Sequence, residues 1–158
     1  MKKLLGVSAV LAIVAGVVLV GGGIWGITFT YQNIARENIT TPEDASIPSA
    51  PVRGPFTLKA QADIIRYHVL DSTRGLTFAE MPRQIPKLDE NGNPVLNTNG
   101  EPVMTANTTR DLWITATTLI TALNLGIITY AFSAFILLFG LISIWTGVTF
   151  WALSRKQG

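Results

Sequence analysis

The chain of 158 residues has no cysteine, one histidine and few charges, and each shortage excludes a class of protein. Without thiols the chain forms no disulfide, thiolate metal site or iron–sulfur cluster. Because His68 is the only histidine, metal sites built from several histidines are excluded, including the iron site made of two histidines and a carboxylate. Charged residues make up 14% of the chain, whereas a soluble domain carries about a quarter. We therefore expect part of the chain to lie in lipid.

The charges are also unevenly placed. Residues 4–35 and 112–154 contain no Asp, Glu, Lys, Arg or His, and all ten acidic residues lie within 37–111. This distribution excludes a soluble enzyme and a nucleic-acid-binding protein with a clustered basic face. A haem or a proton path inside the membrane would need His, Met or ionisable side chains in the apolar segments, which have none. The sequence therefore predicts a protein that is not an enzyme, with no catalytic, cofactor-binding or metal-binding residues and no cofactor.

The first apolar segment predicts a transmembrane helix within residues 1–30. A span needs about 20 residues, and 5–29 supply them. A cleavable signal peptide is the alternative, but its apolar region is roughly 7–15 residues long and ends at a small-residue cleavage site. The segment here is much longer and ends in Trp25 and Phe29. An uncleaved span with its N-terminus in the cytoplasm is therefore favoured.

The second apolar segment, 112–154, is about twice the length that one span needs. Two arrangements compete: a hairpin near Asn124–Gly126 that makes two spans, or one helix that crosses from about 127 to 153 and begins outside the membrane. The hairpin would bury a polar turn in lipid and put the C-terminal cations on the face opposite the N-terminal lysines. With one helix, all four cations are cytoplasmic, as the positive-inside rule prefers. We therefore predict a long helix over 110–154, followed by a cytoplasmic tail, 155–158.

Residues 31–109 are then expected outside the cytoplasm. The four prolines of 38–55 indicate an extended linker. Residues 57–71 have the pattern of an amphipathic helix capped by Thr57. Its predicted apolar face consists of Leu58, Ala62, Ile65 and Val69.

A short repeat follows, with NGNPVL at 91–96 and NGEPVM at 99–104. Each unit places an Asn-Gly turn before an apolar stub, which predicts a short β-hairpin. Asp89 and the two asparagines that follow resemble the start of a calcium loop. However, the sixth position is Pro94 instead of glycine, and the twelfth is Gly100 instead of glutamate. A plain turn is therefore favoured over a metal site.

Small residues recur at four-residue spacing in both apolar segments, as they do where membrane helices pack closely. Whether the two spans pack on each other or on another subunit stays open. The predicted helix-packing residues are Ser8, Ala12, Gly16, Gly22 and Gly26 in the first segment and Ser143 and Gly147 in the second. Four tryptophans are read as interfacial belt residues or packing partners, at positions 25, 113, 145 and 151.

The predicted fold class is a membrane all-α protein with two transmembrane helices, the second extending outside the bilayer, and a small extracytoplasmic segment. The stretches that begin FTYQNIARENITTPEDASIP at residue 29 and WITATTLITALNLGIITYAFS at residue 113 carry a family resemblance. The chain resembles small two-span actinobacterial membrane proteins that are often described as aromatic ring-opening dioxygenases. That description does not fit a chain whose only histidine is His68.

The family is similar to accessory subunits of the mycobacterial and corynebacterial respiratory supercomplex of cytochrome bcc and cytochrome aa3 oxidase. The resemblance implies a non-catalytic structural subunit or assembly factor in electron transport, whose partners are the other membrane subunits and lipid. We expect the proline-rich linker and the hairpin repeat to contact those partners. The alternative is a standalone membrane-anchored binding or sensor protein of the cell envelope.

Overall fold

A computed structural model describes residues 2–156 and is mostly helical. It contains three helices and a small antiparallel sheet, in the order α1 (Lys2–Arg36), α2 (Pro55–Ser72), β1 (Gln84–Pro86), β2 (Met104–Ala106) and α3 (Thr108–Lys156). Helices α1 and α3 are long and apolar enough to cross a membrane by length and composition. Helix α3 runs unbroken through Asn124–Gly126, so the structure has one long helix where a hairpin of two spans was the alternative.

The other two helices both pack on helix α3. Near the middle of α1, Gly16 lies against Gly140, whereas the start of α1 lies against Gly147, so α1 is antiparallel to the C-terminal part of α3. Helix α2 is also antiparallel to α3: Leu58 contacts Gly126, and Val69 packs near the start of α3. The two helices thus cover successive stretches of the same long helix.

Helix α2 begins earlier than its sequence pattern indicates. Its N-cap is Gly54, and Pro55 occupies the first helical position, where a fixed φ and a missing N–H are tolerated. Thr57, predicted as the cap, lies at the third helical position. Its Oγ1 accepts hydrogen bonds from the backbone N–H groups of Arg53 at 3.0 Å and Gly54 at 3.1 Å. The threonine therefore still satisfies backbone groups at the helix start, from inside the helix.

The predicted extended linker is instead a closed loop. The N–H of Val52 donates to the carbonyl of Ile39 at 2.9 Å, which joins the two ends of the loop. Inside it, Thr41 is buried, and its Oγ1 accepts the N–H of Ala50 at 2.9 Å. The prediction of an extended segment was wrong, because prolines are compatible with a closed loop as well as with an extended chain. In the structure they lie in a loop that returns to the end of α1 and buries Val52 at 1% exposure.

The predicted hairpin repeat has a third member and closes into a ring. Three stubs of three residues begin with proline and recur every eight residues: Pro-Lys-Leu at 86–88, Pro-Val-Leu at 94–96 and Pro-Val-Met at 102–104. Each stub forms a bridge with both of the others. The bridges are Leu88 with Pro94, Leu96 with Pro102, and Met104 with Pro86. We call residues 86–104 the β-ring.

The middle residues of the stubs close the ring through the backbone. Val95 N–H donates to the carbonyl of Lys87 at 2.8 Å, Val103 N–H to that of Val95 at 2.8 Å, and Lys87 N–H to that of Val103 at 2.7 Å. The two connecting turns are alike: each ends in a glycine with φ near +80°, a conformation that glycine adopts without strain. The repeat therefore builds a closed element with two antiparallel turns, larger than the single hairpin expected.

Candidate functional site

The most extensive contact between elements in the described residues is the one between α1 and α3. Its buried positions recur every seven residues on both helices, which is the spacing of a left-handed coiled coil. We call these eight positions the heptad seam: Ala9, Gly16, Gly23 and Thr30 on α1, and Ser133, Gly140, Gly147 and Ser154 on α3. Every member is small, so the helix backbones can approach closely along the whole contact.

At the centre of the heptad seam the two backbones touch. A Cβ added to Gly16 would lie 2.7 Å from the carbonyl oxygen of Gly140 and 2.8 Å from the backbone nitrogen of Ile144. A Cβ added to Gly140 would lie 2.7 Å from the nitrogen of Val20. These distances are below normal contact and involve backbone, which cannot rotate away. Any side chain at either glycine must therefore push the helices apart.

One side-chain hydrogen bond crosses between the helices beside the heptad seam. The hydroxyl of Ser143 donates to the carbonyl of Ala12 at 2.8 Å, although that carbonyl also belongs to a continuous helix. Serine and threonine often link helices in this way where water is scarce. The bond can form in only one lengthwise alignment of α1 on α3, so it favours the alignment that the heptad seam produces.

Most of the residues predicted for helix packing lie at or beside the contact between α1 and α3. Gly16 and Gly147 belong to the heptad seam, Gly26 faces Ser133, and Ser8 is half-buried. Ala12 and Ser143 form the hydrogen bond described above.

Gly22 is the exception among the predicted packing residues, because it is exposed and a Cβ there would meet nothing within 4 Å. The seam instead uses Gly23, one residue further and about 100° around the helix. The contact of α1 with α3 thus follows a seven-residue pattern in place of the Gly22–Gly26 spacing, and a contact of Gly22 with another subunit stays a prediction. The seven-residue pattern was already visible as Gly16–Gly23 and Gly140–Gly147.

Three helices meet where the heptad seam ends. The hydroxyl of Tyr130 donates to the carbonyl of Arg53 at 2.6 Å, and the guanidinium of Arg53 donates to the hydroxyl of Tyr31 at 3.2 Å. Directly beside them lies an apolar cluster from the loop, α2 and α3, formed by Val52, Leu58, Ala62, Leu123 and Tyr130. Ile27 and Ile34 of α1 pack against it. This junction holds the start of α2 against both long helices.

A second apolar cluster secures the far end of α2. Val69, Met81 and Ala116 surround Trp113, which is 5% exposed, and the indole N–H of Trp113 donates to the carbonyl of Leu76 at 2.8 Å. Trp113 is therefore a packing residue. Trp25, Trp145 and Trp151 are exposed, and Trp25 stacks on Phe29 at 5.3 Å between ring centroids.

The outward faces of α1 and α3 are covered by large apolar side chains. Only 11% of the most apolar stretch of α1 and 17% of that of α3 is buried within the chain. On α3 the exposed set includes Phe132, Phe135, Phe139, Ile142 and Trp145, and on α1 it includes Val10, Val14, Val17, Val18 and Trp25. Along the heptad seam the two helices thus bury small residues and expose large ones, which is the reverse of a soluble protein.

The side chains of His68, Asp44 and Asp89 all make hydrogen bonds within the chain. His68 Nε2 lies 2.7 Å from Asp44 Oδ2, and this hydrogen bond holds the pKa of Asp44 below its usual value. Asp89 Oδ1 accepts the backbone N–H groups of Asn91 at 2.9 Å and Asn93 at 2.8 Å, as expected for a plain turn. Within residues 2–156 no three His, Asp or Glu side chains are grouped so that they could hold a metal ion.

No family model, curated protein or solved structure matches the chain.

Proposed function

We propose that the chain is an integral membrane protein with two spans that serves as a non-catalytic accessory subunit or assembly factor. By the resemblance described above, its host is an actinobacterial respiratory complex, the cytochrome bcc–aa3 oxidase supercomplex. Both termini lie in the cytoplasm, and residues 31–109 lie outside together with the part of α3 that precedes Tyr130. The partners are other membrane subunits of that complex, together with lipid.

One observation carries the proposal: the α1–α3 pair is packed through small residues and covered outside by large apolar ones. Leaving so much apolar surface in water would be strongly unfavourable, since each square ångström costs about 25 cal/mol. Lipid or the apolar helices of other subunits remove that penalty. A buried core helix of a soluble protein is disfavoured because little of either helix is buried within the chain.

The dimensions support a bilayer. Tyr130 lies at the junction of three helices, and Trp151 lies beside the cation of Arg155 at 4.9 Å. The 21 residues of helix between the two aromatic positions span about 32 Å. The hydrocarbon core of a bilayer is about 30 Å thick.

The heptad seam also argues against a removable signal peptide. It pairs α1 with α3 from Ala9 to Thr30, nearly the full length of the apolar segment. Removal of α1 would leave the backbone at Gly140 and Gly147 without its packing partner. The lysines at the start of α1 and Arg155 and Lys156 at the end of α3 lie at the same end of the pair, which favours the cytoplasm for that end.

The principal test is isolation of the tagged full-length chain from native membranes in a mild detergent. We expect haem absorbance and cytochrome subunits to co-elute with it, and to be lost when the same sample is first treated with a denaturing detergent. An equally abundant, unrelated two-span protein with the same tag is the control. Recovery of the intact chain without haem would overturn the respiratory assignment and favour a standalone binding or sensor protein.

Topology has a separate test, because the native chain contains no cysteine. Single cysteines at positions 3, 75 and 156 are treated in intact cells with a maleimide that cannot cross the membrane. We expect labelling at position 75 only, with positions 3 and 156 labelled after the membrane is opened. Labelling of position 156 from outside would contradict the proposed two-span topology.

A further inference from the structure

The β-ring presents an apolar surface whose extent follows from its bridges. Residues that face each other in a bridge point to the same side, and so do residues two apart in a strand. Following the three bridges around the ring therefore places six side chains on one side, with the middle residues of the stubs on the other. We call these six the ring platform: Pro86, Leu88, Pro94, Leu96, Pro102 and Met104.

All six side chains of the ring platform are exposed, whereas Val95 and Val103 on the other side are half-buried. Leu88 and Leu96 are each 57% exposed and Met104 is 48% exposed. The three stubs place aliphatic side chains at equivalent positions on the same side of the ring. Together these side chains form one continuous apolar surface. Nothing in the described residues covers it.

The point at which the β-ring is attached to α3 favours a protein over lipid as the partner of the ring platform. The β-ring joins α3 through Asn107, whose N–H donates to the carbonyl of Arg83 at 3.1 Å and whose side-chain amide donates to that of Pro82 at 3.0 Å. From Thr108 to Tyr130, where the proposed span begins, 22 residues of helix rise about 33 Å. The point at which the β-ring is attached therefore lies beyond both the headgroup region and the reach of membrane surface charge, about 8–10 Å.

The charge of the β-ring decides against a second copy. Residues 86–104 contain Lys87 against Asp89, Glu90 and Glu101, so the net charge is +1 − 3 = −2. The acids lie in the two turns that flank the ring platform. Two such rings face to face would repel each other, whereas lysines or arginines around an apolar recess would complement this one.

We propose that the ring platform docks into an apolar recess with a basic rim on the extracytoplasmic part of a protein subunit. A stable interface takes about 20–30 residues a side, so six side chains form one contact among several. The others are the outward faces of α1 and α3, and simultaneous contacts on one partner reinforce each other. The inference rests on the proposed function in that the subunit belongs to the complex in which the helices are embedded.

The test places a photo-reactive benzoylphenylalanine at Leu96 of the full-length chain in native membranes, with a second variant carrying it at Phe135 on the outward face of α3. We expect Leu96 to form an adduct with one protein subunit outside the membrane. The cross-linked peptide should contain apolar residues with lysine or arginine nearby. An adduct with phospholipid or a second copy of the chain, or no adduct at Leu96, would overturn the proposal.

Two sets of substitutions in the Leu96 cross-linker background test the chemistry. Leu88→Ser with Met104→Ser should lower the adduct yield about tenfold or more, because burial of one such side chain is worth about a factor of ten. Glu90→Lys with Glu101→Lys leaves the apolar side chains intact and should lower the yield severalfold. Tyr67→Ser, on an exposed face of α2, is the matched control and should change nothing. Unchanged yield in both sets would overturn the proposal.

The outcomes separate this proposal from the function on which it rests. If Leu96 joins a basic, apolar surface on a subunit that carries no haem and purifies with none, the ring platform stands and the respiratory assignment falls. If Phe135 joins a cytochrome subunit while Leu96 forms no protein adduct, the assignment stands and the ring platform falls.

Discussion

The two parts of α3 pack by different means, although each contains buried positions seven residues apart. In the C-terminal part the buried positions are Ser133, Gly140, Gly147 and Ser154, and backbones touch. In the N-terminal part they are Trp113, Ala116 and Leu123, and side chains from α2 fill the space. Under the proposed topology the first part lies in lipid and the second in water. In lipid, burial of apolar surface does not drive helices together, so the helices associate through close van der Waals contact. In water, burial of apolar surface is the force that holds α2 against α3.

Gly140→Leu should separate the two helices in the C-terminal part, which is the largest structural change expected from any substitution considered. The new side chain would meet the backbone of Val20 and Gly16. Overpacking an ordinary core destabilises the folded state by about 1–3 kcal/mol, and we expect a larger destabilisation here. The measurement is the distance between spin labels on cysteines at exposed positions 18 and 141, which should lengthen and broaden. Gly22→Leu, the same change where a Cβ meets nothing within 4 Å, is the control and should leave the distance unchanged.

If Gly22→Leu separated the helices as much as Gly140→Leu, the heptad seam would be the wrong description of the contact. The contact would then follow the four-residue spacing of Gly22 and Gly26 that the sequence predicts. Loss of partner recovery in Gly22→Leu with an unchanged spin-label distance would instead assign Gly22 to a contact with another subunit.

Leu58→Ala tests the N-terminal part by the opposite route, removal of a large side chain. Leu58 is 1% exposed in the apolar cluster, so the truncation should cost about 2–5 kcal/mol and loosen α2. Amide hydrogen exchange in α2 and in the 39–52 loop should accelerate, while the spin-label distance across the heptad seam stays as in the native chain. Tyr67→Ala removes a large side chain from an exposed position of the same helix and is the control. Equal acceleration in both variants would contradict the difference between the two parts.

The sequence predicts this division only in outline, and the misses have physical causes. Long charge-free segments are enough to predict α1 and α3, because their length and composition are local properties. Which of Gly21, Gly22 and Gly23 faces α3 is not local, since each step turns the residue by about 100° and the partner helix decides. The closed loop and the β-ring likewise depend on hydrogen bonds between residues distant in sequence, such as Val52 with Ile39 and Lys87 with Val103.

Ser143→Ala should have a smaller effect on the C-terminal part. The bond from its hydroxyl to the carbonyl of Ala12 links two helices, and such bonds in membranes contribute about 0.6 kcal/mol on average. The midpoint of unfolding in a titration with sodium dodecyl sulfate, followed by tryptophan fluorescence, should fall slightly. The control is Thr146→Ala, whose hydroxyl bonds within its own helix to Ile142. A midpoint that falls as far in the control would show that the interhelical bond contributes nothing specific.

The smallest effect is expected from pH, and it should be confined to the segment outside the heptad seam. The hydrogen bond from His68 lowers the pKa of Asp44, and the N–H and hydroxyl of Thr77 lower that of Glu80. A carboxyl whose pKa is lower folded than unfolded stabilises the folded state above its unfolded pKa, about 4, and that contribution is lost as the pH falls through the folded pKa. Both groups are exposed, so the loss should be slight.

Amide exchange in the 39–52 loop, measured between pH 6 and 3 and corrected for its intrinsic rate, isolates the contribution of Asp44. Protection there should decline below about pH 4 in the native chain. In Asp44→Asn it should start lower and lose this dependence, whereas Glu80→Gln should leave the loop as it is. Protection along the heptad seam should not respond, because residues 4–35 and 112–154 contain no group that titrates in this range. A seam that loosened together with the loop would mean that the two parts of α3 are coupled, and that the junction at Tyr130 transmits the change.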